Sequence, residues 1–178
     1  MIKYLPYSEI NKNKWDACIG NSVNGNVFAY SWYLDSACER WDALVEDDYS
    51  FVMPLPCRKK MGFLYIFPPS LIQQLGVFSA SNITSSKVEE FVKAIPPKFK
   101  YAEILLNHGN PVETLNITRS RHTNLELDLN RPYSELQRSY SENLRRNLKK
   151  IPANYFSIKQ EDTLENLITI FRNNSVAK

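Results

Sequence analysis

The sequence predicts an α/β fold of the α+β kind, in which helices flank a mixed, mainly antiparallel sheet. Three observations support this prediction. Strand-length apolar segments recur along the chain, segments with helical apolar spacing lie among them, and short turn signals join neighbouring strands. With 178 residues, of which 43% are hydrophobic, the chain is long enough for one packed domain, or for one domain and a fragment of another.

The first half of the chain alternates strand and helix signals, and two serines are placed to cap the helices. A serine side chain accepts a hydrogen bond from a free amide in the first turn of a helix. An acidic turn and a glycine turn then divide an antiparallel meander. The expected elements are a strand at 2–6, a helix from Ser8 to about Ile19, a helix from Ser31 to Trp41, and two or three strands over 42–67 with turns at Asp47–Asp48 and Gly62.

The second half contains the clearest helix signal. Val88, Phe91, Val92 and Ile95 recur at helical spacing before a pair of prolines, which predicts an amphipathic helix that ends at the prolines. The elements expected after it are a central apolar strand at 101–107, a strand with one wet face at 124–129, a long basic helix at 133–151, a strand around 155–159 and a closing helix around 163–172.

Composition and motifs exclude several classes of function. The net charge of +3 is far below the excess typical of a dedicated DNA-binding domain. The sequence has no P-loop, G-x-S-x-G or G-x-G-x-x-G motif. Its three cysteines form no C-x-x-C pair, so neither a disulfide framework nor a metal site is expected. The absence of a signal peptide and of any apolar run near membrane-span length predicts a cytoplasmic location.

The predicted basic helix separates an apolar stripe from a cationic arc. In one interpretation the cations are simply solvated while the stripe packs on a core. In the other, Arg145, Arg146, Lys149 and Lys150 bind a phosphate-bearing ligand, which guanidinium and ammonium groups suit. No aromatic residue lies among these cations, so base stacking is not expected there. The stripe, about 120° wide, consists of Tyr133, Leu136, Tyr140, Leu144, Leu148 and Ile151.

Two smaller features add candidate binding residues. Arg58 and Lys59 form a second basic patch that could contact phosphate. Gln73 and Gly76 lie in a loop before the predicted 86–95 helix, where backbone amides could face a pyrophosphate. The alternative is that Gly76 is a turn glycine and Phe78 a core residue.

The order of elements resembles the acyltransferase fold of the GNAT superfamily. The sequence is most similar to the FemAB-like branch, the peptidoglycan aminoacyltransferase relatives built from two tandem GNAT repeats. An early aromatic segment before a tryptophan-led helix, a strand pair with a proline-rich turn, and a basic connecting helix carry the resemblance. These segments are VFAYSWYLD at 27–35, MPLPCRKKMGFLYIFPPSLIQQLGVFS at 53–79 and YSENLRRNLKKI at 140–151.

The resemblance implies a GNAT-like sheet and an acyl or aminoacyl transferase half that moves an acyl group onto an amine. It implies acyl-CoA or aminoacyl-tRNA as the donor and no covalently bound cofactor, and it names no catalytic residue. Gln73 and Gly76 match the family's Q/R-x-x-G-x-G/A loop, whereas Phe78 replaces its last small residue. A bulky side chain there crowds the approach of a pyrophosphate, so a self-sufficient acetyl-CoA enzyme is not expected.

The resemblance also implies a division of the chain. Residues 1–130 correspond to the first repeat, 131–152 to a basic connecting helix, and 153–178 to the opening strand and helix of an incomplete second repeat. A homo-oligomer or a complementing chain is the partner that such an arrangement implies. The alternatives are a catalytically silent GNAT-fold binding or assembly domain, and weak non-specific RNA binding through the basic helix.

Overall fold

The computed structural model describes residues 1–113, 117–151 and 163–174. The chain divides into two compact units, Met1–Arg119 and Ser120–Lys178. Within the described residues it has a five-stranded, mostly antiparallel sheet and six α-helices. The predicted α/β class is therefore confirmed.

The sheet belongs to the first unit, and its strands follow one another in chain order. The first four strands pair antiparallel, and the fourth pairs parallel with the fifth. Asp47 and Gly62 have φ values of 48° and 86° and lie at the turns that were predicted. The strands are β1 (Ile2–Leu5), β2 (Trp41–Glu46), β3 (Phe51–Lys60), β4 (Phe63–Ile66) and β5 (Phe99–Ala102).

The fifth strand differs from its prediction. A central strand was expected at 101–107, but β5 covers Phe99–Ala102 and lies at the edge of the sheet beside β4. The apolar residues after it are accounted for by packing, because Ile104 contacts a buried cluster from a loop and Leu106 contacts it from an isolated bridge with Leu75. A short apolar run indicates burial and does not by itself specify a strand.

The helices of the first unit begin at residues other than the predicted caps. Ser8 lies in a 3₁₀ turn, and the Asn11 side chain caps α1 instead, 3.1 Å from the Lys14 amide. Ser31 is inside α2, where its amide and hydroxyl both donate to the Asp16 carboxylate. Both serine caps were wrongly predicted. Asn11 accepts the hydrogen bond at the start of α1, and the Asp16 carboxylate accepts those from Ser31 at the start of α2. The helices are α1 (Lys12–Asn21), α2 (Ser31–Ala37) and α3 (Ser85–Lys93).

The core of the first unit lies on both faces of the sheet. Alternate residues of β2 divide between them, with Trp41 packed beside α1 and α2 and Leu44 in the cluster that includes α3. The predicted amphipathic helix is confirmed as α3, which buries Val88 and Phe91. Each large apolar side chain that is fully buried contributes about 1.5–3 kcal/mol to stability.

The second unit departs further from the predicted elements. The strand expected at 124–129 is absent, and these described residues are exposed. The basic helix is two helices, because Tyr140 has extended backbone and the Ser141 side chain caps a new helix at the Leu144 amide. The closing helix is confirmed, and the strand expected around 155–159 lies outside the described residues. The helices are α4 (Tyr133–Ser139), α5 (Glu142–Lys149) and α6 (Leu164–Asn174).

None of the helices in the described part of the chain has the length and apolarity needed to cross a lipid bilayer.

Candidate functional site

The candidate site is built on the hairpin of β3 and β4. On the side of β3 that faces away from β2, Val52 exchanges two backbone hydrogen bonds with Phe78. Pro54 and Pro56 follow on the same edge and have no amide hydrogen, so that ladder cannot continue. Pairing with β4 begins at Cys57, and the last four residues of β3 form the hairpin.

An open cleft of about 490 Å³ lies at this hairpin. The predicted basic pair Arg58 and Lys59 lines the cleft. Lys60, which was not among the predicted binding residues, adds a third cation. Glu39 is the acidic side chain of the lining. Three cations against one carboxylate give the lining of the cleft an excess of positive charge. Its lining residues are Ala37, Glu39, Arg58, Lys59, Lys60 and Tyr65.

One face of the hairpin alternates cations with aromatic rings. Arg58 pairs with Tyr65 and Lys60 with Phe63 across the two strands, and directly opposite residues share a face of the sheet. The Arg58 guanidinium carbon lies 5.5 Å from the centre of the Phe67 ring, within cation–π range. Tyr65 and Phe67 meet edge to face, with ring centres 6.5 Å apart. We call Arg58, Lys60, Phe63, Tyr65 and Phe67 the hairpin face.

The sequence contained the signal for this face. Residues 58–67, RKKMGFLYIF, place basic and aromatic residues at every second position on either side of the Gly62 turn. A period of two indicates side chains on one face of a strand. The relation of the predicted basic pair to the aromatic residues depends on the register of the two strands.

The Gln73–Gly76 loop lies apart from the start of a helix. Gly76 has a φ of 115°, and a side chain there would meet the Asn110 amide oxygen at 2.8 Å. That oxygen accepts a hydrogen bond from the Val77 amide at 2.8 Å. Helix α3 begins only at Ser85. Cofactor binding by Gln73 and Gly76 stays a prediction.

The cations of α5 are all exposed. Arg145, Arg146 and Lys149 lie on the helix, and Lys150 follows as its C-cap residue. The apolar residues of the same helix are also partly open to solvent, so the described residues do not show the stripe packed on a core. Phosphate contact by these four cations stays a prediction.

A buried carboxylate in β2 links this strand to β1 and to the turn that follows β1. Asp42 is 2% exposed and accepts hydrogen bonds from the Tyr4 hydroxyl, the Tyr7 amide and the Arg40 guanidinium. Burial acts to raise the pKa of Asp42, but these donors outweigh it and hold the pKa below its ordinary value. Burial, with Asp42 nearby, raises the pKa of the Cys57 thiol to about 12. This thiol is therefore not a nucleophile at neutral pH.

The described residues contain no group of three or more histidine, cysteine or acidic side chains arranged to hold a metal ion.

The chain matches no family model, no curated protein and no solved structure. The resemblance to FemAB-like proteins therefore rests on the sequence segments and on the order of elements.

Proposed function

We propose that this chain is one half of an N-acyltransferase of the FemAB-like, GNAT-fold kind, and that it binds the phosphates of its donor in the hairpin cleft. The observation that carries the proposal is the cleft itself, where Arg58, Lys59 and Lys60 line one cavity of about 490 Å³. Charge-assisted hydrogen bonds from such groups suit phosphate. Acyl-CoA and aminoacyl-tRNA both present phosphate to this cleft.

The order of elements supports the same proposal. The first unit runs β1, α1, α2, β2, β3, β4, α3 and β5. Up to β5 this is the expected order, although the strand expected at 124–129 is absent from the described residues. The paired parts of β3 and β4 lie inside one of the segments that carry the resemblance. A cleft beside those strands is a suitable place for the donor.

The chemistry requires mainly positioning. The lone pair of an acceptor amine attacks the acyl carbonyl, the bond to the carrier breaks, and the amine proton passes to the leaving group. The cations hold the carrier's phosphates, and Glu39 in the same lining can accept a hydrogen bond from the amine. Fixed geometry of this kind accounts for much of the rate of such transfers.

Isothermal titration calorimetry with CoA tests the proposal on the full chain. The double variant Arg58→Ala/Lys59→Ala is expected to bind CoA at least about tenfold more weakly, since each charge-assisted phosphate contact is worth about 1.5–3 kcal/mol. Arg145→Ala/Arg146→Ala, measured in parallel, tests the α5 cations. Lys14→Ala/Lys93→Ala is the control, because it removes two exposed lysines on α1 and α3.

Circular dichroism confirms that each variant folds. Absence of CoA binding by the folded wild type, or equal affinity of the cleft variant and the control, would refute the donor site. The catalytically silent binding domain would then be the better account of the chain.

A further inference from the structure

The exposed aromatic side chain of the hairpin face requires an explanation beyond phosphate binding. Phe63 is 62% exposed beside the turn of the hairpin. It is directly opposite Lys60, and Tyr65 follows two residues later on the same face, opposite Arg58. A phosphate group alone is bound by the cations and makes no use of the rings.

The spacing of the rings fits a ligand with several bases. Alternate residues of a strand lie about 6.6 Å apart, so Phe63 and Tyr65 of β4 repeat at roughly the separation of successive bases in an extended single strand, and Phe67 follows just after the strand ends. Arg58 already lies over the Phe67 ring, which closes one end of the face with a stacked guanidinium. Phe63 and Tyr65 are the rings at the other end.

The cations of the hairpin lie next to the rings, where the phosphates that link such bases would be placed. Arg58 and Lys60 alternate with the rings, and Lys59 lines the adjoining cleft. Glu39 is the acidic group of that lining, so a polyanion is expected to follow the hairpin face rather than the Glu39 side. The α5 cations offer no comparable arrangement, because no aromatic residue lies among Arg145–Lys150.

We infer that the hairpin face binds single-stranded nucleic acid, with bases stacked on Phe63 and Tyr65 and phosphates held by Arg58 and Lys60. Alternating rings and cations of this kind give binding with little sequence preference. The cations are shared with the proposed donor site, so this inference rests on the proposed function for their role in binding phosphate. The stacking contact on Phe63 is separate from the donor site, because Phe63 does not line the cleft, whereas Tyr65 does.

Fluorescence anisotropy with a labelled oligouridine of about 12 nucleotides, at low salt, tests the inference on the full chain. Phe63→Leu keeps an apolar side chain but removes the aromatic ring, and should weaken RNA binding about five- to 100-fold. Phe63→Tyr keeps the ring and should bind within about threefold of the wild type. Leu71→Ala, at another exposed apolar residue of the first unit, is the control and should bind like the wild type.

CoA titration of Phe63→Leu separates this inference from the proposed function. If Phe63→Leu binds RNA more weakly than the wild type does but binds CoA equally well, the result supports the stacking site. Equal RNA binding by Phe63→Leu and Phe63→Tyr, equal binding of a duplex of the same length, or no RNA binding by a wild type that binds CoA would overturn the inference alone. A folded wild type that binds neither probe overturns both.

Discussion

Replacing Asp42 by asparagine is expected to lower the free energy of unfolding by about 3–5 kcal/mol at neutral pH. Asp42 is buried in β2, where its two oxygens accept hydrogen bonds from the Tyr4 hydroxyl, the Tyr7 amide and the Arg40 guanidinium. Asparagine keeps the shape of the side chain. It removes the charge, however, and replaces one accepting oxygen by an amide nitrogen that can only donate.

The magnitude follows from the separate contacts. A hydrogen bond to a charged group is worth about 1.5–3 kcal/mol and a neutral one about 0.5–1.5 kcal/mol, so weakening the two bonds from Tyr4 and Tyr7 costs about 2 kcal/mol together. A buried donor left without an acceptor adds about 1–3 kcal/mol. The Arg40 side chain is 57% exposed, so it is rehydrated when the carboxylate is lost and contributes little.

Urea unfolding at several pH values measures the effect. The pKa of Asp42 in the folded protein lies below the ordinary value of 3.8, so the carboxylate stabilises the fold above that pH and this contribution is lost as the pH falls through the folded pKa. The difference between the wild type and Asp42→Asn should therefore be largest near neutral pH and should narrow below 3.8.

Asp48→Asn is the matched control. Its side chain is 79% exposed and pairs with Lys14 at the surface, so its loss should change the free energy of unfolding by less than about 0.5 kcal/mol. A similarly small effect for Asp42→Asn, or a difference from the wild type that does not depend on pH, would refute the reasoning.

Two further predictions concern a glycine and a thiol. Gly76→Ala should cost about 2–4 kcal/mol in urea unfolding, because it combines a φ of 115° with a clash against Asn110, whereas Gly62→Ala at a φ of 86° meets no neighbour and should cost about 1 kcal/mol. Equal costs would show that the Asn110 contact is unimportant. In thiol titration at about pH 8, Cys57 should stay unmodified until the protein unfolds. Cys38 should react slowly, because burial raises its pKa to about 11. Rapid labelling of Cys57 in the folded protein would contradict the burial argument.

Local patterns were enough to predict several elements. Helix α3 follows from the spacing of Val88 and Phe91, and the meander follows from its turn residues Asp47 and Gly62. These signals lie within one helix face or one turn, so no distant residue is needed to interpret them. The same holds for α6, whose apolar spacing predicted a helix close to Leu164–Asn174.

Other predictions failed because neighbours distant in sequence decided the outcome. Ser31 was expected to cap α2, but Asp16 of α1 supplies the acceptor. The run at 101–107 was expected to be a central strand, but the sheet accepts only Phe99–Ala102 at its edge. An apolar residue such as Ile104 can pack on the core from a loop as well as from a strand, and the sequence pattern is the same in both cases.

The sequence by itself determined the class of fold, the positions of most helices and strands of the first unit, and the presence of a basic pair at Arg58 and Lys59. Only the tertiary structure decided which residues accompany that pair. The antiparallel register of β3 and β4 places Phe63 and Tyr65 opposite Lys60 and Arg58, and a shift of one residue would move those rings to the other face of the sheet. In a hairpin the register is set by the turn and by which strand face is buried, so the sequence contained the pattern of this face, and the folded hairpin established the pairing of its rings with its cations.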